Sequence, residues 1–335
     1  MENSEKFNEE EWLKNYPVQT ENIAFNPEQL IACGECQRNN PPNRLKCLYC
    51  GGELELSISD EAQIKLNLRN PESWEKGFNL IFCPRKPETT AFAEIAGLVN
   101  LEKEFVRKIV EAGKYLPLVR GENLKEIEIV KNNLQRLGLE TIIVSDESLS
   151  PEKMPVRLRG LEFWEDKLVL IFFNNDEIAE ISRDELVLMV AGAVFENKTE
   201  SVVKKKKGES EIVDATETVS DEFLLDLYTR ENPHGCRIFT KGFDFSCLET
   251  EKGILAAENL KKLTKKLIEF APDAKFVNDY LSVRETLGNI WEIEQRKDSQ
   301  GLNRRGFGKF NFSKVALSNN LQQFNKYSRL QRHIL

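Results

Sequence analysis

The stretch "CGECQRNNPPNRLKCLYCGG", Cys33 to Gly52, holds two Cys-x2-Cys pairs separated by ten residues. Two intervening residues let a tight knuckle turn both sulfurs of a pair to one side, so the two pairs can enclose one ion. Gly34 and Gly51 are expected to supply the backbone freedom of the knuckles, and "NNPPN" (Asn39 to Asn43) the turn that brings them together. Four thiolates with no open coordination position describe a structural zinc site formed by Cys33, Cys36, Cys47 and Cys50. A segment of about 25 residues cannot bury enough surface to fold alone. Structural zinc binding, with an apparent free energy of about 10–16 kcal/mol, then becomes folding energy.

The same four ligands suit rubredoxin-type iron. Two redox Cys-x2-Cys motifs are the other competitor, but neither pair sits in a strand-to-helix context. The segment resembles the zinc-ribbon family over about residues 31–54. That resemblance implies the metal and leaves the function open.

Outward from this segment, 335 residues allow two or three domains, and 40% apolar content is enough for real cores. The apolar runs "LVLIFF" (Leu168 to Phe173) and "LVLMVAGAVF" (Leu186 to Phe195) fall short of the ~18 residues that span a bilayer. The N-terminus, "MENSEKFNEEEWLKNY", is acidic and has no apolar signal core. A cytoplasmic chain is expected, in which the seven cysteines are ligands or core residues, not disulfides.

The expected division is an acidic segment (1–27), the ribbon (28–56), a polar linker (57–76), a small domain (77–146), a β-rich domain (154–297) and a basic extension (298–335). In the small domain "FNLIFC", "YLPLVRG" and "ETIIVS" read as strands. "TTAFAEIAGL", the stripe Leu101, Phe105, Ile109 and the stripe Ile127, Val130, Leu134, Leu137 read as helices. The order is β-α-α-β-α-β, with helices on one face of a small sheet. On "GLVNLEKEFVRKIVEAGKYLPLVRGENLKEIEIVKNNLQRLGLETIIV" the segment resembles the C-terminal domain of the bacterial ribosomal stalk protein and the related ClpS adaptor fold. Both are protein-binding modules, so a partner-binding domain is what the resemblance implies.

From residue 156 the chain reads as strands: "VRLRGLEF", "KLVLIFF", "ELVLMVAGAVF", "FLLDLY" and "CRIFTKGFDFSCL", with "TRENPHG" as a hairpin loop. A helix carrying Leu260, Leu263, Leu267 and Phe270 follows, then one long helix from about Asn278. This is the order of a PH-like, partly open antiparallel barrel with C-terminal helices. The whole is an α+β multidomain chain.

Residues 301–335 carry seven Lys or Arg and no Asp or Glu, leaving a net charge of −15 on residues 1–300. Within them "RRGFGKFNF" (Arg304 to Phe312) approaches the RNP1 signature of RNA-recognition modules. Its fifth place is Lys309, which cannot stack on a base as an aromatic would. What remains is a basic-aromatic strand in which Arg304, Arg305 and Lys309 could contact an external anion, or an edge strand facing the acidic body. "VVKKKKGESEIVDATETV" offers Lys204 to Lys207, but between Glu196 and Glu222 eight acids outnumber five lysines, favouring a solvated loop or protruding hairpin.

Cys83, Cys236 and Cys247 read as buried thiols, and His234 with Cys236 as a weak metal pair. Asp244 and Ser246 could form a catalytic pair in a hydrolase, but a serine needs a base and the chain has two His. No Gly-x-Ser-x-Gly, His-Glu-x-x-His, P-loop or Rossmann fingerprint occurs. As a whole the chain is similar to an uncharacterised group of multidomain bacterial proteins, on the ribbon, "SDEFLLDLY", "GFDFSCL" and "QFNKYSRL". The expectation is a non-enzymatic zinc-bearing adaptor that binds protein, with a translation- or RNA-associated factor as the alternative and a hydrolase as the third reading.

Overall fold

The computed structural model describes residues 25–335 except 43, 56–67, 69–70, 72–74, 85–90, 150–152, 174–176, 207–208 and 305–309. The chain forms two compact units, residues 1–67 and 68–335, in a mixed α/β architecture. Most of the acidic segment and of the polar linker lies outside the described residues.

In the first unit, a two-residue antiparallel ladder pairs β1 (Ile31–Ala32) with β2 (Asn39–Asn40). A single bridge joins Lys46 to Glu53. The small core is Cys33, Cys47 and Leu54 with Ile31 and Cys36 against it.

The second unit begins with the β-α-α-β-α-β order read from the sequence. It comprises β3 (Phe78–Phe82), α1 (Phe92–Val99), α2 (Lys103–Ala112), β4 (Leu116–Gly121), α3 (Leu124–Arg136) and β5 (Thr141–Ser145). The stops are local: Gly113 at φ 59 ends α2, and Gly138 at φ 78 follows α3. Asn123 starts α3, its side chain accepting the Lys125 N–H at 2.9 Å. The sheet order is β4-β3-β5, with β3 antiparallel to both neighbours.

This sheet is covered on both faces. The short α4 (Asp146–Leu149) brings Asp146 to Arg120 of β4, which donates from Nε at 2.8 Å and Nη2 at 2.6 Å. Asn79 of β3 donates to Asp146 at 3.0 Å and accepts the buried Trp291 indole N–H at 2.8 Å. Residues 77–146 are joined to the later part of the chain by this Asn79–Trp291 bond. Both belong to one unit.

The larger sheet contains β6 (Val156–Phe163), β7 (Lys167–Phe172), β8 (Ile178–Ser182), β9 (Leu186–Lys206), β10 (Glu209–Thr229) and β11 (Cys236–Phe239). After α5 (Ala256–Phe270) come β12 (Lys275–Val277), α6 (Tyr280–Leu287), β13 (Glu294–Arg304), β14 (Phe310–Asn319) and α7 (Leu321–His333). The order is β13-β14-β9-β10-β11-β6-β7-β8. The free edge of β9 is shared: β14 covers its outer part from Glu196 to Lys204, and β12 its inner part from Leu188 to Val190. One side of the inner strands packs Leu186, Met189, Leu225 and Leu227 with Leu260, Leu263 and Leu267 of α5. Residues of opposite parity (Gly192, Asp226, Tyr228) meet α7 through Phe324 and Ser328. Coverage on two faces explains why "LVLMV" and "FLLDLY" run apolar instead of alternating.

Three sequence expectations change. The sheet is not purely antiparallel, because β11 pairs β6, and β12 pairs β9, in parallel. The helix expected to run on from Asn278 ends at Leu287, and residues 294–304 form a strand held by β14. "FDFSCL" is not strand but a 3-10 segment from Phe245 capped by Asp244. The basic extension belongs to the second unit. Its last helix, α7, buries Phe324, Tyr327 and Leu330 in the body.

Candidate metal centre

The four cysteines meet as their spacing requires. Cys33 and Cys50 Sγ lie 3.5 Å apart, as do Cys36 and Cys47 Sγ, and all four sulfurs fall within 4.8 Å of one another. A tetrahedron of sulfurs at about 2.3 Å from a central ion has edges of about 3.8 Å, so the cluster has the dimensions to hold one metal ion. The two knuckles share a backbone plan. Gln37 N–H donates to Cys33 O at 2.8 Å, and Gly51 N–H to Cys47 O at 3.1 Å. The residue after each second cysteine takes the left-handed conformation: Gln37 at φ 58 and Gly51 at φ 76. Gly51 thus has its expected role. Gly34 does not, because the left-handed residue of the first knuckle is Gln37.

Around the sulfurs, donors are aimed at the cluster. Asn40 of β2 reaches Cys47 Sγ with Nδ2 at 3.4 Å, and the Tyr49 N–H reaches it at 3.4 Å. The Asn40 side chain is itself fixed, donating to Arg38 O and accepting from the Leu48 N–H, both at 2.8 Å. Burial pushes the Cys47 thiol up, but the backbone N–H groups of Cys50 and Tyr49 and the Asn40 amide outweigh it and bring the thiol down to about 6. The Gly52 N–H favours the Cys50 thiolate, yet the Cys33 sulfur, burial and the other two sulfurs raise it to about 12. Thiolate is thus favoured at Cys47 and opposed at Cys50 by the neighbouring sulfurs.

The rim is built from the second knuckle. Leu48 and Tyr49 are about half exposed, at 51% and 57%, and the Arg38 guanidinium lies 4.8 Å from the Tyr49 ring centroid. The Glu35 carboxylate lies over Gly52, where a Cβ would have to displace it.

The other singled-out residues do not assemble into a comparable site. Among the described residues no second group of three or more His, Cys, Asp or Glu is placed to hold a metal, so His234 and Cys236 remain a pair. Cys236 is buried, and burial with Asp226 nearby pushes its thiol up to about 11. Cys247 is also raised by burial. Ser246 donates to Asp244 Oδ1 at 2.6 Å, while Asp244 also accepts the Ser246 N–H and the Lys252 ammonium. This is an exposed helix cap, in which Ser246 and Lys252 hold the Asp244 carboxyl below its ordinary value. Lys204 to Lys206 lie on β9 in register with Glu211, Ser210 and Glu209 of β10. Lys207, Arg305 and Lys309 lie outside the described residues, and Arg304 ends β13.

Sequence reading passed over a buried polar network in the second unit. Arg237 donates to both carboxylate oxygens of Asp226 at 2.6 and 2.7 Å, and to Asn325 Oδ1 at 2.7 Å. Ser328 donates to Asp226 at 2.6 Å and lies 2.8 Å from the Tyr228 hydroxyl. The available signal was a charge inside an apolar run, Asp226 in "FLLDLY".

Compared with protein-family models, curated proteins and solved structures, the chain matches none.

Proposed function

We propose that the chain is a zinc-ribbon adaptor: a non-enzymatic protein in which Cys33, Cys36, Cys47 and Cys50 hold one structural Zn2+ and shape a protein-binding surface. The observation that carries this reading is the pairing of a closed four-sulfur cluster with an exposed Leu48–Tyr49 rim beside Arg38. Four protein ligands leave no coordination position for substrate. Tyr and Arg are, with Trp, the side chains enriched in interface hot spots. The stalk-like and PH-like parts of the second unit would serve as further protein-binding modules, consistent with their β-α-α-β-α-β order and large sheet.

The RNA-associated reading is less favoured for a specific reason. Three of the seven tail cations turn inward: Lys326 to Asp146 at 3.4 Å, Arg329 to the Pro233 and Lys153 carbonyls, and Arg332 to the Thr229 and Arg230 carbonyls. An affinity pull-down from native host lysate, with and without nuclease, tests the choice. The adaptor reading expects a defined protein partner that persists after nuclease and is lost with Tyr49→Ala. Recovery that collapses with nuclease, and with charge-neutral variants of Arg304, Arg305 and Lys309, would favour the RNA reading.

A further inference from the structure

A cavity of about 240 Å3 lies within the second unit, between α7, the segment leading into β6, and the ends of β10 and β11. Its charged lining is Arg237, Arg329 and Lys153, and its apolar side is Leu149, Met154 and Pro155. The three cations are not equivalent. Arg237 is matched by Asp226 in the buried pair. Arg329 is equally buried, 6% exposed, yet has no carboxylate partner among the described residues. Among the described residues its guanidinium bonds the Pro233 and Lys153 carbonyl oxygens, and it lies 5.7 Å from the Tyr228 ring centroid, with the charge of Asp226 acting on it from a distance. Burial pulls its pKa down, so the charge is kept there against a desolvation penalty. Lys153 adds an exposed ammonium.

A guanidinium carries five N–H donors. Among the described residues Arg237 commits three of these and Arg329 two, which leaves each with further N–H donors. Tyr228 and Asn325 also line it, but their own hydrogens are committed, the Tyr228 hydroxyl to Ser328 and the Asn325 amide to Gln322 and Met154, so the donors are the cations. This is the donor set that recognises a planar or tetrahedral oxyanion. The volume is below the roughly 300–1,000 Å3 of sites that take drug-sized molecules.

We propose that this cavity binds a small organic oxyanion, its carboxylate or phosphate head on Arg329, Arg237 and Lys153 and its short apolar body against Leu149, Met154 and Pro155. The site is independent of the metal centre and of the adaptor reading.

The test is calorimetric titration of the full zinc-loaded chain with benzoate, phenyl phosphate and benzyl alcohol as probes, repeated on Lys153→Glu and Arg329→Met. Saturable binding of benzoate or phenyl phosphate, and not of the neutral alcohol, is expected, and the better probe identifies the head group. Lys153→Glu should weaken binding at least about tenfold, and Arg329→Met should abolish it. If Arg329→Met fails to fold, the exposed Lys153→Glu change still decides. Absence of saturable anion binding, equal binding of benzyl alcohol, or an unchanged affinity in Lys153→Glu overturns the proposal.

Discussion

Trp291 donates its indole N–H to the side-chain oxygen of Asn79, 2.8 Å away, across 212 positions of sequence. Both residues are buried, and Asn79 also donates to Val144 O and Asp146. The bond ties the small sheet to the C-terminal part of the chain. Asn79→Ala leaves a buried indole donor unpaired and removes two further bonds, so a loss of about 2–4 kcal/mol is expected. Urea denaturation should show it as a lower midpoint of one cooperative transition for the second unit.

The Asp226–Arg237 pair predicts a non-additive pair of substitutions. Asp226→Ala strands a guanidinium that is 3% exposed, which should cost about 3–5 kcal/mol. The double variant Asp226→Leu, Arg237→Met should be more stable than Asp226→Ala, because no charge is left unpaired. Thermal melts of the variants measure the coupling.

Asp146 makes stability depend on acid. Burial raises its carboxyl pKa, but Arg120 with Lys326 and Asn79 outweighs that and holds it below the ordinary value. A carboxylate depressed in the folded state stabilises fully above its unfolded value of about 3.9 and loses that contribution as pH falls through the folded value. Arg120 is the stronger partner; the Lys326 bond is longer at 3.4 Å, and burial lowers that lysine's own pKa. The wild-type chain should lose stability below about pH 4 more steeply than Asp146→Asn, measured by chemical denaturation across pH.

Gly192 of β9 faces the Phe324 ring of α7 so closely that a Cβ would collide with it. Gly192→Ala should therefore cost about 1–3 kcal/mol or more through overpacking, and Phe324→Leu in the same chain should restore part of it. If Gly192→Ala is neutral in thermal melts, α7 does not pack on β9 as described.

Some of this was readable in advance and some was not. The cysteine spacing located the four-sulfur cluster, because a knuckle's geometry is local. Gly113, Gly138 and the stripes of α2 and α3 marked the small α/β segment, again through local periodicity. β13 was missed because "EQRKDSQGLNR" has no alternation, and its strand conformation comes from pairing with β14. α7 looked like a basic tail because Gln323, Asn325, Ser328 and Arg329 are polar. Their burial depends on partners such as Tyr280, Arg237 and Asp226, far away in sequence. Gln37 escaped notice because a left-handed non-glycine residue leaves no signal in composition.

The most direct test of the central claim is the metal content of the purified full-length chain by elemental mass spectrometry, beside Cys47→Ser and the control Cys83→Ser. One zinc per chain, lost in Cys47→Ser and kept in Cys83→Ser, is the predicted result. Iron in place of zinc, or a zinc content that Cys47→Ser leaves unchanged, would contradict a structural zinc centre at Cys33, Cys36, Cys47 and Cys50.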